Sequence, residues 1–160
     1  MNEEINYESF GDWSISKEMF DWIVKNFPEN SVILELGSGS GTKELVKKYK
    51  VYSVEHDESW VGLEPKSNYI FSPLVDGWYD KKILKKEIPK EYDLLIIDGP
   101  PGILRKNTLK HLQLFKKDIT IIVDDTNRKI DNDIALKIAT KFKKQIINIK
   151  SDDKQFSILR

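Results

Sequence analysis

Short runs of apolar residues, many of them β-branched, recur along the chain and are separated by amphipathic stretches long enough for helices. Apolar runs bounded by turn residues are typical of strands buried on both faces, whereas apolar positions spaced three and four residues apart are typical of helices. The pattern predicts strands over residues 31–36, 51–55, 68–72, 92–98, 119–124, 145–150 and 155–159. It predicts helices over residues 16–27, 42–49, 57–63, 79–87, 103–116 and 130–142.

Strands that alternate with helices indicate an α/β fold with a mostly parallel sheet. The last two predicted strands are joined only by residues 151–154, which is too short for a crossover helix, so this pair is expected to be antiparallel. A chain of 160 residues is long enough to bury a core of its own. We therefore expect residues 1–160 to form a single domain, with residues 1–28 as an N-terminal lid and helix.

The composition restricts the chemistry. The 26 basic residues balance the 26 acidic ones, so no net charge attracts the chain to polyanions, and no nucleic-acid partner is expected. The absence of cysteine excludes disulfides, thiolate nucleophiles and cysteine-ligated metals, so a metal would be bound mainly by oxygen. No stretch approaches the roughly 20 apolar residues of a membrane span, and the polar N-terminus differs from a secretory signal. The expected location is cytoplasmic.

The most informative motif is ELGSGSGT at residues 35–42, where the first predicted strand leads into three alternating glycines and then a helix. Glycines leave backbone amides accessible and a helix N-terminus attracts anions, so this turn is expected to face a carboxylate or a phosphate. The spacing is GxGxG, whereas the dinucleotide fingerprint requires GxGxxG. The alternative is a strand-to-helix turn without a ligand.

Two glutamates accompany this motif. Glu55 ends the next predicted strand, where an acid can accept hydrogen bonds from both hydroxyls of a ribose. Ligands of such sheets lie beyond the carboxyl ends of the strands, so motifs that follow different strands converge on one cleft. Glu35 lies inside the first strand and, if buried, needs partners. It is expected to accept hydrogen bonds from loop amides or from a ligand amine; the alternative is that it faces the surface.

These motifs resemble those of the class I S-adenosylmethionine-dependent methyltransferases. Residues 35–42 are similar to their first motif, and Glu55 is similar to their ribose-binding acid. Within that group, residues 13–16, 53–60 and 98–100 are most similar to small bacterial glycan-type O-methyltransferases. The resemblance implies a Rossmann-like three-layer α/β sandwich. Its seven-stranded sheet would have the order 3-2-1-4-5-7-6, with the last strand antiparallel.

The resemblance also implies how S-adenosylmethionine is held. Gly37, Ser38 and Gly39 would approach its methionine portion, while Glu55 would bind the ribose and His56 would lie beside the adenine. The residues implied in cofactor binding are Trp13, Glu35, Gly37, Ser38, Gly39, Thr42, Glu55, His56, Asp76 and Asp98.

Two of these residues come from less typical segments. Asp76 is the nearest match to the acid that meets the adenine amino group in the family. Residues 7–16, which include Trp13, precede the first helix and are expected to fold over the cofactor as a lid.

Acidic residues also end two further predicted strands. Asp98 follows an apolar run and precedes the sequence GPPG, and Asp124 and Asp125 end the next strand. Adjacent carboxylates repel each other unless a cation lies nearby, and oxygen ligands suit Mg²⁺, Ca²⁺ or Mn²⁺. The simpler interpretation of Asp98 is that it only caps the turn.

This acidic pattern resembles the metal-dependent catechol and caffeoyl-coenzyme A O-methyltransferases, which implies a divalent cation on Asp98, Asp124 and Asp125. Those enzymes have an aspartate–asparagine pair where this chain has two aspartates. In the metal-free alternative, Asp125 pairs with Arg128, and Asp98 acts as a base or orients the sulfonium.

The expected function is transfer of the methyl group of S-adenosylmethionine to an oxygen acceptor, with Asp98 as the catalytic residue. His56 and His111 are the other candidate bases, although His111 is expected to be a packing or surface residue in the middle of a helix. No segment is long enough to cap a substrate, so the acceptor, a small molecule or a glycan, would bind in a shallow site or one completed by a homodimer. The alternatives are a non-catalytic cofactor-binding module and an NAD-dependent oxidoreductase, which the glycine spacing disfavours.

Overall fold

The computed structural model describes residues 3–10 and 15–160. Within these ranges the strands are β1 (Val32–Leu36), β2 (Lys50–Glu55), β3 (Asn68–Phe71), β4 (Leu74–Val75), β5 (Trp78–Tyr79), β6 (Leu94–Ile97), β7 (Thr120–Val123), β8 (Ile146–Lys150) and β9 (Gln155–Leu159). The α-helices are α1 (Lys17–Asn26), α2 (Ser40–Leu45), α3 (Lys81–Glu87) and α4 (Lys129–Phe142). The 3₁₀-helices are Tyr7–Ser9, Glu58–Trp60, Gly102–Lys110 and Leu112–Leu114.

Seven strands form one sheet in the order β3-β2-β1-β6-β7-β9-β8, and only β9 runs antiparallel to its neighbours. β4 and β5 form a separate antiparallel hairpin. When the strands of the main sheet alone are counted along the chain, their order is 3-2-1-4-5-7-6, so the predicted fold class is confirmed. All seven predicted strands are present, with ends that differ by at most two residues.

Apolar side chains pack on both faces of the sheet, which explains the nearly continuous apolar runs of its central strands. In β6, Leu95 and Ile97 face the layer that contains α3 and α4, whereas Leu94 and Ile96 face the layer that contains α1 and α2. Side chains of β1 and β7 alternate in the same way. The result is a three-layer sandwich whose loops at the carboxyl edge are available to form a site.

The prediction of a helix over residues 57–63 is wrong, because the segment contains only the 3₁₀ turn Glu58–Trp60. The carboxylate of Asp57 accepts hydrogen bonds from the backbone N–H and the hydroxyl of Ser59, and this local bonding closes a short turn. Gly62 follows with a φ of 81°, a left-handed conformation that interrupts a helix.

The prediction of one helix over residues 103–116 is also wrong, because two consecutive 3₁₀-helices form there. Side chains of this segment form hydrogen bonds with the β4–β5 hairpin, and the sequence pattern did not predict that hairpin. Trp78 Nε1 donates to Thr108 Oγ1 at 3.0 Å, and Asn107 Nδ2 donates to the carbonyl of Gly77 at 3.1 Å. Tertiary contacts therefore determine this segment more than its helical periodicity does. The helix α3 also begins two residues later than predicted.

The described N-terminal residues 3–10 lie against α2. Asn6 N donates to Glu44 Oε2 at 3.0 Å, and Lys47 Nζ donates to the carbonyl of Glu4 at 2.7 Å. Residues 11–14, and with them the predicted cofactor contact of Trp13, lie outside the described residues. The lid accordingly stays a prediction. None of the helices in the described ranges has both the length and the apolar character needed to cross a membrane.

Candidate functional site

A cavity of about 780 Å³ opens at the carboxyl edge of the sheet. It is bounded by Gly37 and Ser38 after β1, by Glu55 and His56 at the end of β2, and by Asp98 after β6. Five of the residues predicted for cofactor binding thus lie together. The volume falls within the roughly 300–1,000 Å³ that is usual for small-molecule sites.

The turn after β1 approaches the end of β6 closely. Gly37 has a φ of 89°, and a Cβ atom there would lie 3.0 Å from the backbone oxygen of Asp98. A residue with a side chain would therefore be strained in its backbone and would also push the two loops apart. This glycine brings the two strand ends together beneath the cavity.

The amides of this turn are less available than the sequence predicts, because each already has a partner within the chain. Gly37 N donates to Val54 O at 2.8 Å, Ser38 N to Glu55 Oε2 at 3.1 Å and Gly39 N to Thr42 Oγ1 at 3.2 Å. These three amides are therefore not free donors in this structure, because a backbone carbonyl and two side chains accept their hydrogen bonds. That the turn faces a carboxylate or a phosphate stays a prediction.

Glu55 organises the turn from the neighbouring strand. Its side chain is 4% exposed, and Oε2 accepts hydrogen bonds from the backbone N–H and the hydroxyl of Ser38, the latter at 2.7 Å. Its other oxygen, Oε1, accepts from His56 N at 3.0 Å. These bonds fix the orientation of the carboxylate. Counting the longer bond from Asp57 N to Oε1 at 3.4 Å, each oxygen already accepts two hydrogen bonds, so a diol in the cavity has to displace the Ser38 hydroxyl or the Asp57 amide.

Glu35 and Thr42 support the turn from below and do not line the cavity. Glu35 is 3% exposed, and its Oε1 accepts hydrogen bonds from Thr42 Oγ1 and Ser53 Oγ, each at 2.6 Å. The partners of Glu35 are thus hydroxyls and not the loop amides that were expected, and the surface-facing alternative is wrong. Burial raises the pKa of Glu35 from its ordinary value of 4.5 to about 7, although the two hydroxyls oppose this shift.

This shift predicts that stability depends on pH through Glu35. An acid whose pKa is raised by folding stabilises the protein fully below its ordinary value and loses that contribution as the pH rises through the folded value. Between pH 5 and pH 8, Glu35→Gln is expected to gain up to about 3 kcal/mol in unfolding free energy relative to the natural chain. Urea denaturation of both proteins at the two pH values measures the difference. Parallel pH dependences would contradict the burial of an ionisable Glu35.

Two other predicted positions lie away from the main cavity. Gly39 borders a smaller neighbouring cavity of about 200 Å³, which shares Ser38 and Trp60 with the larger one. Asp76 lies in the turn of the β4–β5 hairpin, exposed and with a φ of 52°, and it does not line either cavity. The structure therefore gives no support to its assignment to the adenine. His111 stacks on Trp78 with ring centroids 4.3 Å apart, in agreement with its predicted packing role.

The three acidic residues predicted to bind a metal are close together. Asp98, Asp124 and Asp125 each offer a carboxylate oxygen, and these oxygens lie within 4.8 Å of one another. Burial, reinforced by the charge of Asp125, raises the pKa of Asp124 to about 6. Burial and the charge of Asp124 also raise the pKa of Asp98 well above its ordinary value. Such shifts are typical of acids in functional sites.

Asp124 has one oxygen whose interactions are incomplete. Its Oδ1 accepts a hydrogen bond from the backbone N–H of Asp125 at 2.8 Å, whereas Oδ2 is buried without a hydrogen-bond partner among the described residues. An oxygen acceptor in this state is costly unless a cation or a donor completes it.

Arg105, which sequence analysis did not identify, lies among these acids and is only 4% exposed. Its guanidinium donates to Asp131 Oδ1 at 2.8 Å, to the backbone oxygen of Asp98 at 2.8 Å and to Asp125 Oδ2 at 3.3 Å. Arg105 lies in a segment whose sequence has the pattern of an ordinary amphipathic helix. A basic residue is common on the exposed face of such a helix, so its presence does not indicate a functional role. Only the folded chain shows that it neutralises the acidic group.

The ion pair of the metal-free alternative is also present. Arg128 Nη2 lies 2.7 Å from Asp125 Oδ2, and Arg128 Nε lies 2.9 Å from Asp131 Oδ2. Unlike Arg105, the Arg128 side chain is 48% exposed. Two arginines of different burial therefore hold the same pair of acids.

The glycine turn, the strand-end acid and the cavity between them lie at the carboxyl edge of a Rossmann-like sheet. No family model matches the sequence, and no curated protein matches it. Solved structures do match over almost the whole chain. A precorrin-8w decarboxylase of Methanobacterium thermoautotrophicum has a TM-score of 0.64 at 17% identity, covering 97% of this chain and 95% of the other.

Two further solved structures are those of a methyltransferase and of a protein that holds S-adenosyl-L-methionine. A precorrin-6y C5,15-methyltransferase of Geobacter metallireducens has a TM-score of 0.64 at 12% identity, covering 95% of this chain and 93% of that one. Fibrillarin of Aeropyrum pernix, in a complex with natively bound S-adenosyl-L-methionine, has a TM-score of 0.59 at 15% identity, covering 83% and 67%. At such identities the likeness establishes the fold. This chain has the fold of class I S-adenosylmethionine-dependent methyltransferases.

Proposed function

We propose that the chain binds S-adenosylmethionine in the 780 Å³ cavity and transfers its methyl group to an oxygen acceptor, such as a hydroxyl of a saccharide or of a small molecule. One observation carries the proposal: the oriented carboxylate of Glu55, the turn at Gly37 and the acid Asp98 border the same cavity. The methyltransferase fold of the solved structures supports it.

In this proposal Glu55 accepts hydrogen bonds from the two ribose hydroxyls, beside His56. The methionine portion lies across Gly37 towards Asp98. In methyl transfer an oxygen attacks the methyl carbon in line with its bond to the sulfonium sulfur, that bond breaks, and S-adenosylhomocysteine leaves as a neutral thioether. The rate therefore depends chiefly on alignment and on exclusion of water. Only groups that hold the two reactants in line are obligatory for such a step.

Asp98 is the proposed catalytic base. An alcohol has a pKa far above neutrality, so its proton must be removed as the oxygen attacks. The raised pKa of Asp98 brings this carboxylate closer to the range in which a base works near neutral pH. The acceptor hydroxyl would lie between Asp98 and the sulfonium methyl group, with its proton directed at the carboxylate.

Calorimetric titration tests the cofactor assignment. We expect S-adenosylmethionine and S-adenosylhomocysteine to bind with one-to-one stoichiometry and NAD not to bind. Binding of NAD alone would contradict the proposal and favour an oxidoreductase. Transfer of a labelled methyl group to a panel of hydroxylated acceptors then tests the reaction itself.

The acidic residues also fit a divalent cation, which we propose as the alternative to a free Asp98 base. Asp98, Asp124 and Asp125 would hold it, because their oxygens converge and Asp124 Oδ2 has no other partner among the described residues. When bound, such a cation supplies positive charge that lowers the pKa of an acceptor hydroxyl. Arg105 already supplies part of that charge to Asp98 and Asp125.

Metal binding has a direct test that does not depend on the acceptor. After treatment with a chelator, the protein is expected to bind one Mn²⁺ per chain in calorimetry, and Asp124→Asn is expected to weaken this binding at least about tenfold. Asp133→Asn removes an acid that forms an ion pair with Lys129 away from the cavity, and it should leave Mn²⁺ affinity unchanged. If the natural chain binds no Mn²⁺, the positive charges of Arg105 and Arg128 are enough to balance the acidic residues, and the metal proposal is wrong.

A further inference from the structure

Tyr79 contains the other buried side-chain atom that lacks a hydrogen-bond partner among the described residues. The residue lies in β5 and is 2% exposed, yet it borders the main cavity. Its ring is surrounded by aromatic neighbours: the Trp78 ring centroid lies 5.3 Å away and that of His56 lies 6.4 Å away. The packing of the ring is therefore complete, whereas the bonding of the hydroxyl is not.

The hydroxyl lies where the two loops of the site meet. A Cβ atom on Gly99 would come within 2.3 Å of the Tyr79 oxygen and within 3.1 Å of the Gly37 backbone. The phenol is therefore held against the loop that follows Asp98 and next to the turn that follows β1. The absence of a side chain at Gly99 leaves the space that this oxygen occupies.

The charges around the hydroxyl favour a donor. Burial raises the pKa of Tyr79 well above its ordinary value of 10, and the negative charge of Glu55 adds to this shift. The phenol thus keeps its proton throughout the physiological range. Because Glu55 is also the proposed acceptor for the ribose hydroxyls, a donor that borders the same cavity complements the oxygens of the same sugar.

We propose that Tyr79 is a cofactor-positioning residue whose hydroxyl donates a hydrogen bond to a ribose oxygen of the bound nucleoside. This inference rests on the proposed function, because it requires a nucleoside in the cavity. Glu55 and Tyr79 then hold the sugar from two sides, one accepting and one donating. The sulfonium sulfur attached to that sugar is thereby fixed relative to Asp98.

The test is Tyr79→Phe, which keeps the ring and removes only the hydroxyl. Calorimetry is expected to show about a tenfold loss of affinity for both S-adenosylhomocysteine and adenosine, which share the ribose. The unliganded variant is expected to unfold at a temperature no lower than the natural chain, because it loses no hydrogen bond. If the hydroxyl had a purely structural role, Tyr79→Phe would lower the unfolding temperature and leave both affinities unchanged.

Tyr92→Phe is the matched control, because Tyr92 is equally buried but lies away from the cavity. Its hydroxyl accepts a hydrogen bond from Lys116 N at 2.8 Å, so the control should lower the unfolding temperature and leave both affinities unchanged. Unchanged affinities in Tyr79→Phe would overturn the inference, as would a loss confined to S-adenosylhomocysteine, which would place the contact on the amino-acid portion. If the natural chain binds neither ligand, the proposed function itself fails.

Discussion

Replacing Arg105 by methionine is expected to lower the free energy of unfolding by about 3–5 kcal/mol. The guanidinium is buried and donates to Asp98, Asp125 and Asp131. Methionine fills a similar volume but leaves these acids without their buried cation. A buried charge without a partner costs more free energy than the loss of an ion pair at the surface. Urea denaturation of both proteins measures the loss.

Arg128→Met provides the comparison, because Arg128 binds two of the same acids, Asp125 and Asp131, from a half-exposed position. Its removal is expected to cost no more than about 1 kcal/mol. The penalty for Arg105→Met should shrink as the pH falls, since the pKa of Asp98 is raised by burial and a protonated Asp98 no longer needs a cation. Equal losses in the two variants, or a penalty for Arg105→Met that does not change with pH, would show that burial of the cation is not what stabilises this group.

Glu55→Ala is expected to reduce the affinity for S-adenosylhomocysteine at least about 100-fold. Two hydrogen bonds from a diol to a carboxylate contribute about 1.5–3 kcal/mol each, and every 1.4 kcal/mol corresponds to a factor of ten. Loss of the bonds to the Ser38 amide and hydroxyl also releases the turn after β1, which adds to the effect. Calorimetry measures the affinity, and circular dichroism establishes that the variant is folded.

A carboxylate far from the cavity serves as the control for charge. Glu91 is 86% exposed and pairs with Lys116, so Glu91→Ala removes the same charge without touching the site. Its affinity should equal that of the natural chain. Should Glu55→Ala also bind normally, the ribose does not lie on Glu55, and the cofactor must be oriented differently.

The main sheet was predictable because its strands are buried on both faces. Runs such as Leu94–Ile97 admit few other structures, and the short connection before β9 permits only an antiparallel strand. The polar segments between the strands were less predictable. In residues 57–63 a single Asx turn outweighs a helical pattern, and in residues 103–116 bonds to a distant hairpin do so. Such contacts join positions that no local pattern connects.

The residues of the site also differ in how far the sequence predicts them. Glu55 and Asp98 follow apolar strands, so their position at the carboxyl edge follows from the topology of parallel sheets. Arg105 and Tyr79 instead reach the cavity from a 3₁₀-helix and from the short hairpin. Asp76 was assigned to the adenine as the nearest match to the family's acid, but it lies in the turn of the same hairpin and does not line the cavity.

A crystal structure of the protein with S-adenosylhomocysteine bound tests the central claim most directly. We expect both ribose hydroxyls within hydrogen-bond distance of the Glu55 carboxylate, with the sulfur directed towards Asp98. If the ligand lies outside the cavity, or if Glu55 contacts only Ser38, His56 and Asp57 as it does without the ligand, the proposed cofactor site is wrong.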